Sequence, residues 1–260
     1  MTKSVALTIA GSDPSGGAGL QADLKTFHQF GVYGEAVVTL VTVQNTISVD
    51  RVECLDAALV AQQIRAVIAD IPPGAAKTGA LGNLAIIEAV AAEAAHWRFP
   101  LVIDPVMVSK HGSRLIGEDA VAALKSLLFP LAALVTPNLD ETSVLAGRPI
   151  TDLEGMRDAA RAIIDLGPKA VLIKGGHLEG PADDVLYDGS DWLTLHAKRC
   201  STRHTHGTGC TYSAAITAGL AQGKSLVESV AAAKRFITEA IRTNPGLGAG
   251  SGPVNHHAAV

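Results

Sequence analysis

Short, nearly continuous apolar runs alternate with longer helical patterns along most of this chain. The runs cover residues 5–10, 36–43, 101–108, 132–136 and 170–174. Continuous rather than alternating apolar residues are typical of strands that are covered on both faces. Because helical patterns separate the runs, the sequence predicts an α/β fold with a largely parallel sheet.

The helical patterns and one exception to the alternation complete the predicted organisation. Helices are predicted over residues 19–30, 56–70, 84–95, 118–128, 153–166, 210–222 and 226–242. The alternation breaks at residues 184–197, where Asp188-Gly189 between two short apolar runs predicts a β-hairpin. Residues 244–260 are glycine-rich and predict a loop. Since neither an internal repeat nor a linker is present, we expect one domain over residues 1–260.

Composition excludes several classes of function. The chain has 260 residues and a formal net charge of -4, and it has no basic run long enough to bind nucleic acid. No uninterrupted apolar stretch reaches about 18 residues, so we expect no membrane span. Cys54, Cys200 and Cys210 are widely spaced, which favours reduced thiols in a cytoplasmic protein over a disulfide scaffold.

Polar residues lie at or after the ends of several predicted strands. They include Gly11, Gln44, Asp104, Asn138, Glu141 and Lys174. Ligands of open parallel sheets bind beyond the carboxyl ends of the strands. Polar loops end the strands of any α/β protein, but this set combines carboxylates, amides, lysines and glycine loops. The combination suits a phosphorylated ligand and its metal ion.

The segment "THGTGCTYSAA" at residues 205–215 gives the clearest chemical signal. Gly207, Thr208 and Gly209 can present successive backbone N–H groups at a helix N-terminus, which favours a bound anion. Cys210 follows in the first turn, where the helix dipole is expected to lower the pKa of its thiol. The thiol is then placed to accept the proton of a substrate hydroxyl that attacks a phosphoryl group.

The residues around this segment also fit other kinds of site. Cys200, His204, His206 and Cys210 are zinc-ligand types, although neither a CxxC nor an HxxxH pair is present. Cys210 can also be an inert small residue in a tight turn. The segment "GLAQGKS" at residues 219–225 resembles a phosphate-binding P-loop, but it has three residues between its glycines instead of four. Because it also follows a helix, we reject it.

Several motifs occur together in one order along the chain. They are "ALTIAGSDPSGGAGLQADLKTF" at 6–27, "QNT" at 44–46, "DPVMV" at 104–108, "TPNLDE" at 136–141, "KGGH" at 174–177, "THGTGCT" at 205–211 and "GPVNH" at 252–256. Over nearly the whole chain they resemble the hydroxymethylpyrimidine/phosphomethylpyrimidine kinases of thiamine biosynthesis, in the ribokinase-like superfamily. The cysteine is the most specific element, because sugar kinases of that superfamily carry aspartate there.

The resemblance implies a three-layer αβα sandwich and a small-molecule kinase. It implies that ATP and Mg²⁺ serve to phosphorylate 4-amino-5-hydroxymethyl-2-methylpyrimidine, and then to convert its monophosphate to the diphosphate. It also implies a homodimer. By resemblance, Cys210 with residues 207–209 is catalytic, and Asp104 and Glu141 lie on the metal side.

The same resemblance assigns the remaining site residues. The pyrimidine pocket is formed by Gly11, Asp23, Gln44, Ala80, Val106 and Met107, and the nucleotide is bound by Asn138, Lys174 and His206. An amide such as that of Gln44 offers a donor and an acceptor to an aminopyrimidine edge. The family usually carries methionine at the position of Ala80, which leaves pyridoxal kinase activity open as an alternative. A non-catalytic binding protein on this fold is the third possibility.

Overall fold

The computed structural model of the protein describes residues 4–107, 116–176 and 180–260. Its strands are β1 (Val5–Ser12), β2 (Tyr33–Gln44), β3 (Val49–Cys54), β4 (Ala75–Thr78), β5 (Leu101–Ile103), β6 (Leu134–Val135), β7 (Val171–Lys174), β8 (Asp184–Tyr187) and β9 (Trp192–Leu195). Its helices are α1 (Gly19–Gln29), α2 (Ala57–Asp70), α3 (Leu84–Ala94), α4 (Glu118–Ala123), α5 (Leu139–Ala146), α6 (Leu153–Ile164), α7 (Thr208–Ala221) and α8 (Leu226–Arg242).

The strands form one sheet in the order β3-β2-β1-β4-β5-β6-β7-β8-β9. The neighbours from β2 to β7 in that order pair in parallel. β3 at one edge and the β8–β9 pair at the other are antiparallel additions. The largely parallel sheet and the hairpin predicted from the sequence are therefore confirmed.

Helices cover both faces of this sheet. On one face, Leu7 and Ile9 of β1 pack in a buried cluster with residues of α2 to α6. On the other face, Ala6 packs in a second cluster with Phe27 of α1 and Phe236 of α8. Successive residues of β1 thus point into different clusters, as the pleat of a strand requires. The two clusters confirm the three-layer αβα sandwich.

The structure corrects one predicted strand and adds two others. The run at residues 101–108 is a strand only as far as Ile103, because the chain then turns, with the N–H of Val106 donating to the carbonyl of Asp104 at 2.8 Å. Val108 lies outside the described residues. β3 was missed because its sequence "VDRVEC" is mostly exposed and polar, and β4 because it has only 4 residues and contains Lys77.

Two helices also differ from the prediction. α4 ends at Ala123, and residues Leu124–Leu128 form a π-helical turn instead of continuing it. α5 was missed although its start carries a capping box, in which Asn138 and Glu141 each accept a backbone hydrogen bond from the other. Within the described ranges, no helix combines the length and the apolar character needed to cross a membrane.

Candidate active site

A cavity of about 1130 Å³ opens where the parallel strands end. Its lining includes Gln44, Asp104, Val106, Met107, Asn138, Glu141, Lys174, His206, Gly207, Thr208, Gly209 and Cys210. The structure therefore brings most of the expected site residues to one place. Gly11, Asp23 and Ala80 do not line this cavity.

The start of α7 is shaped by two close approaches of its glycines. Gly207 caps the helix with φ +78°, and a Cβ atom there would lie 1.8 Å from the carbonyl oxygen of Gly17. A Cβ atom on Gly209 would lie 3.3 Å from Nζ of Lys174 and 3.5 Å from Oδ2 of Asp104. Glycine thus lets the helix end approach both the loop after β1 and the charged floor of the cavity.

That charged floor is a lysine between two carboxylates. Nζ of Lys174 lies 2.9 Å from Oδ1 of Asp104, whose side chain is 2% exposed. Burial alone raises the pKa of Asp104, but Lys174 and Lys77 outweigh it and hold the pKa below its usual range. Burial raises the pKa of Glu141 to about 7, with Lys174 opposing the shift and Asp104 adding to it.

Glu141 and Asn138 also stabilise the local fold. Oε2 of Glu141 accepts the backbone N–H of Asn138 at 2.8 Å, and Oδ1 of Asn138 accepts that of Glu141 at 2.9 Å. Nothing in the described part of the chain groups three or more metal-binding side chains. Carboxylate oxygens beside a phosphate site nonetheless fit Mg²⁺, which takes one or two carboxylates together with phosphates and water. The donor chemistry of Asp104 and Glu141 therefore suits that ion.

Cys210 is half-buried at the third position of α7. The backbone N–H of Gly19 donates to its thiol, and Lys77 lies near enough to favour the thiolate. Burial nevertheless raises the pKa of Cys210 to about 12, helped by Asp23 and Asp104. The expectation of a lowered pKa was wrong, because burial and two carboxylates outweigh Lys77 and the hydrogen bond from Gly19.

Asp23 lies beneath Cys210 instead of in the pocket wall. It is fully buried, and its Oδ1 pairs with Nζ of Lys77 at 2.6 Å while Oδ2 accepts the hydroxyl of Thr8 at 2.6 Å. Nζ of Lys77 is also 3.5 Å from the carbonyl oxygen of Cys210. Sequence reasoning gave Lys77 no specific role. A lysine inside the apolar segment "AAKT" was the available signal, since buried lysines are almost always paired.

His206 lies beside Gln44 in the lining of the cavity, and its expected contact with the nucleotide stays a prediction. Its Nε2 atom is 2.7 Å from Oδ2 of Asp13 and 3.2 Å from the side-chain amide of Gln44. Asp13 follows β1 within the motif at residues 6–27, and sequence reasoning assigned it no role of its own. Cys200, His204, His206 and Cys210 do not form a metal-binding group in the structure described.

Gly11 and Ala80 adjoin each other behind this region. A Cβ atom on Gly11 would lie 3.7 Å from Cβ of Ala80 and 2.5 Å from Cδ1 of Leu40. Leu81 is 2% exposed and packs in the core cluster on one face of the sheet. Leu40, rather than Leu81, is therefore the large side chain beside Gly11.

A further buried cluster was not predicted. Asp184 accepts hydrogen bonds from Lys234 at 2.6 Å, from the hydroxyl of Tyr212 at 3.0 Å and from the backbone of Gly175 at 3.0 Å. These contacts join α7 and α8 to the loop after β7 beside the cavity. No short motif marks the cluster, because its members are far apart in sequence.

An αβα sandwich whose parallel strands end at the glycine-rich start of a helix, with a lysine and two carboxylates beside it, is the arrangement expected of a small-molecule kinase of the ribokinase-like class. Known proteins narrow this class further. The family model described as phosphomethylpyrimidine kinase matches residues 13–255, and the chain belongs to this family.

Individual relatives agree with the family match. The chain is 47% identical to the hydroxymethylpyrimidine/phosphomethylpyrimidine kinase of Synechococcus elongatus, over 98% of each protein. It is 50% identical to the thiamine biosynthesis bifunctional protein ThiED of Geobacter sulfurreducens, over 96% of this chain but only 51% of that protein. The chain thus spans about half of the bifunctional relative.

Solved structures of two kinds of kinase share the fold. Pyridoxal kinase of Bacillus subtilis, in an ADP complex, has a TM-score of 0.91 at 40% identity, covering 99% of this chain and 98% of that one. Phosphomethylpyrimidine kinase from Clostridium difficile 630 has a TM-score of 0.80 at 42% identity, covering 92% of this chain and 100% of that one. Similarity of fold alone does not separate the two activities.

Proposed function

We propose that this kinase uses ATP to phosphorylate 4-amino-5-hydroxymethyl-2-methylpyrimidine, and then phosphorylates the monophosphate to the diphosphate, in thiamine biosynthesis. The observation that carries the proposal is the shared cavity of Cys210, at the anion-binding start of α7, and Gln44, an amide suited to an aminopyrimidine edge. The names of the relatives, 43–50% identical, support the same substrate.

The glycine-rich helix start has the first role in the proposed reaction. The backbone N–H groups of residues 207–209 bind the transferring phosphoryl group, where the helix dipole favours negative charge. Lys174 adds a positive charge beside Gly209, since a Cβ atom on that glycine would lie 3.3 Å from its Nζ atom. Mg²⁺, held by Asp104 and Glu141 with water and phosphate oxygens, would neutralise part of the phosphate charge.

Cys210 is proposed to accept the proton of the substrate hydroxyl as that oxygen attacks the phosphorus atom. Its thiol is protonated at rest, because its pKa is raised to about 12 by burial. In the resting site Lys174 is paired with Asp104 at 2.9 Å, and this carboxylate offsets the effect of its positive charge on the thiol. A ligand that draws Asp104 away leaves that positive charge free to favour the thiolate. The base would thus form only in the loaded site, where the thiol gives its own proton to water before it accepts the proton of the substrate hydroxyl.

Consumption of ATP with defined acceptors tests the proposed activity. We expect turnover with the hydroxymethyl aminopyrimidine and with its monophosphate, each depending on Mg²⁺. An enzyme that phosphorylates pyridoxal but neither pyrimidine would contradict the main proposal. Absence of turnover with all three acceptors would favour a binding protein.

Pyridoxal kinase activity is the second candidate, and the 40% identity to pyridoxal kinase of Bacillus subtilis is the observation that favours it. Methionine fills irregular gaps, so alanine at position 80, which adjoins Gly11 behind the cavity lining and near Leu40, tests whether this space is open to a bulkier ring. We expect Ala80→Met to shift the ratio of kcat/KM toward the pyrimidine by roughly 10-fold or more, the effect of small groups in an apolar pocket. An unchanged ratio would show that Ala80 does not set the pocket size.

We also propose a cytoplasmic homodimer. The three cysteines are free thiols, as a reducing compartment favours. Two exposed valines on one face of β2 offer an apolar surface for a second copy: Val41 is 43% exposed and Val43 55%. Sedimentation equilibrium of the purified protein tests the dimer, and a mass of one chain at all concentrations would exclude it.

A further inference from the structure

The loop after β1 holds a carboxylate in a fixed position beside the substrate cavity. Oδ1 of Asp13 accepts the backbone N–H of Ser15 at 2.9 Å and its hydroxyl at 2.7 Å, and Oδ2 accepts the N–H of Ala18 at 2.9 Å. Nε2 of His206 lies 2.7 Å from that same Oδ2 atom. Both Asp13 and His206 are 3% exposed, so the pair is shielded from water.

The protonation of this pair follows from its partners. Burial raises the pKa of Asp13, but the hydrogen bonds from His206 and Ser15 outweigh it and leave the pKa below its usual range. Asp13 is therefore a carboxylate, which only accepts hydrogen bonds. Nε2 of His206 must carry a hydrogen, whether the ring is neutral or charged.

This hydrogen decides which end of the Gln44 amide can face His206. The end of the Gln44 amide assigned as nitrogen lies 3.2 Å from Nε2 of His206. Nitrogen and oxygen of an amide have nearly the same shape, and hydrogen-bond partners decide between them. The single hydrogen on Nε2 points chiefly to Oδ2 of Asp13 at 2.7 Å, and the more distant Gln44 can only share it. An NH₂ group cannot accept any share of that hydrogen, whereas the amide oxygen can. The oxygen of Gln44 therefore belongs beside His206, and the NH₂ group faces the cavity.

The imidazole ring cannot swing away to relax this requirement. A Cβ atom on Gly17 would lie 2.5 Å from Cδ2 of His206, so the ring is packed against the loop after β1. The backbone N–H of His206 donates to Gly252 at 3.0 Å, and its carbonyl accepts from Val254 at 3.3 Å. These bonds fix the backbone of His206, and the ring itself is held between Gly17 and Asp13.

We propose that the Asp13–His206 pair fixes the amide orientation of Gln44 and thereby makes the enzyme selective for an aminopyrimidine. The NH₂ group of Gln44 donates to a ring nitrogen, and the second lone pair of its oxygen accepts from the exocyclic amine. Asp13 does not line the cavity and His206 is only 3% exposed, so the proposal gives both a positioning role that acts through Gln44. The proposal rests on the proposed function, because it concerns the same pocket.

The test compares two acceptors that differ only in the amine. These are the hydroxymethyl aminopyrimidine and the same ring with hydrogen in place of its 4-amino group. We expect His206→Leu to lower the ratio of kcat/KM for the two acceptors by about 5- to 10-fold, the effect of one hydrogen bond. His206→Gln keeps a donor toward Asp13 and Gln44 and should restore the ratio. The KM for ATP should not change.

Asp13→Asn is a second variant. It keeps the imidazole ring but makes residue 13 the donor and Nε2 of His206 the acceptor of their hydrogen bond. An asparagine that keeps its oxygen on Ser15 presents its NH₂ group to His206 and to the N–H of Ala18, so the bond from Ala18 is lost. Nε2 of His206 then becomes an acceptor, and the Gln44 amide turns over. The ratio should fall here too. His196, which lies 2.8 Å from Asp183 and is 75% exposed, provides the control, and His196→Leu should leave the ratio unchanged.

The Gln44→Ala background separates a positioning role from a structural one. If His206 acts through Gln44, His206→Leu should not lower the ratio further in that background. An additive loss, or a wild-type ratio in both His206→Leu and Asp13→Asn, would overturn the proposal. Failure of the wild-type enzyme to phosphorylate either pyrimidine would instead overturn the proposed function.

Discussion

At the scale of single residues, Cys210 lies between two lysines that are each already paired with a carboxylate. Lys77 pairs with Asp23 at 2.6 Å, and Lys174 with Asp104 at 2.9 Å. Positive and negative charges therefore act on the thiol together, and burial decides the balance in favour of the neutral form. The resting enzyme keeps its proposed base protonated and unreactive.

Replacing the thiol tests its proposed role directly. We expect Cys210→Ala to lower kcat by roughly 10²–10⁴, the usual contribution of a positioned proton acceptor. ATP affinity, measured by calorimetry, should change little, because the backbone N–H groups of α7 remain. A variant with near-normal kcat would make Cys210 a small turn residue only.

The raised pKa has its own chemical signature. Only the thiolate reacts with iodoacetamide, and below the pKa its fraction rises about tenfold with each pH unit. Because the pKa of Cys210 is about 12, its alkylation in the free enzyme should be very slow at pH 7 and should still be accelerating at pH 10. Peptide mass spectrometry gives the rate, with Cys200 as internal reference. A rate that levels off below pH 9 would contradict the burial effect.

At this scale the sequence predicted which residues after strand ends line the cavity. It did not predict which buried residues pair with one another around it. Gln44, Asp104 and Lys174 were expected at the cavity because each lies at or just after the end of a strand. Lys77 and Asp13 were given no specific role, since their importance comes from partners 54 and 193 positions away in sequence. Such pairings depend on tertiary packing, which no local pattern records.

At the scale of elements, the start of α7 offers two glycines with different constraints. Gly207 has a left-handed backbone and no room for a side chain, whereas Gly209 is helical and faces the flexible end of Lys174. Alanine is a better helix former than glycine by about 1 kcal/mol. Stability and function should therefore respond in opposite directions at the second position.

Gly209→Ala should keep or slightly raise the free energy of unfolding while it weakens nucleotide binding. The added methyl group would lie 3.3 Å from Nζ of Lys174, which must shift by a few tenths of an ångström, and in ordinary contact with Oδ2 of Asp104. Urea denaturation and ADP titration measure the two effects. Gly207→Ala is the matched comparison and should destabilise the fold, because its methyl group would overlap Gly17. Unchanged ADP affinity in Gly209→Ala would separate this glycine from the phosphate site.

Helices and strands were predictable where their residues are apolar on the buried side. β1 and α8 were expected nearly in full, since burial follows their sequence period. The exposed β3 has no such pattern, because it is defined by its pairing with β2. The turn after Ile103 was hidden because Val106 and Met107 are apolar for the sake of the cavity, not of a strand.

At the scale of the whole molecule, a buried carboxyl on β2 links stability to pH. Burial, with a smaller contribution from Asp70, raises the pKa of Glu35 from 4.5 to about 7. Its Oε2 atom is buried without a hydrogen-bond partner in the described structure. Between these two pH values the folded protein holds a proton that the unfolded chain has lost. Stability due to this group is therefore present below pH 4.5 and falls as pH rises to about 7.

Glu35→Gln should remove this dependence. We expect the variant to be more stable than the wild type at pH 8 by about 1–3 kcal/mol, and the difference to vanish near pH 4. Urea denaturation across this range provides the measurement, and Glu53→Gln on the exposed β3 is the control. A difference that does not depend on pH would show that Glu35 is ionised in the folded state.

The backbone bonds that join His206 to Gly252 and Val254 make a remote amide a reporter of the substrate pocket. The N–H of Val254 is bonded to the carbonyl of His206, and it exchanges with deuterium only when that contact opens. A ligand held by Gln44 also holds His206, which the amide of Gln44 contacts, and so keeps the contact closed. Isotope exchange at this one position can therefore rank pocket ligands without any phosphoryl transfer.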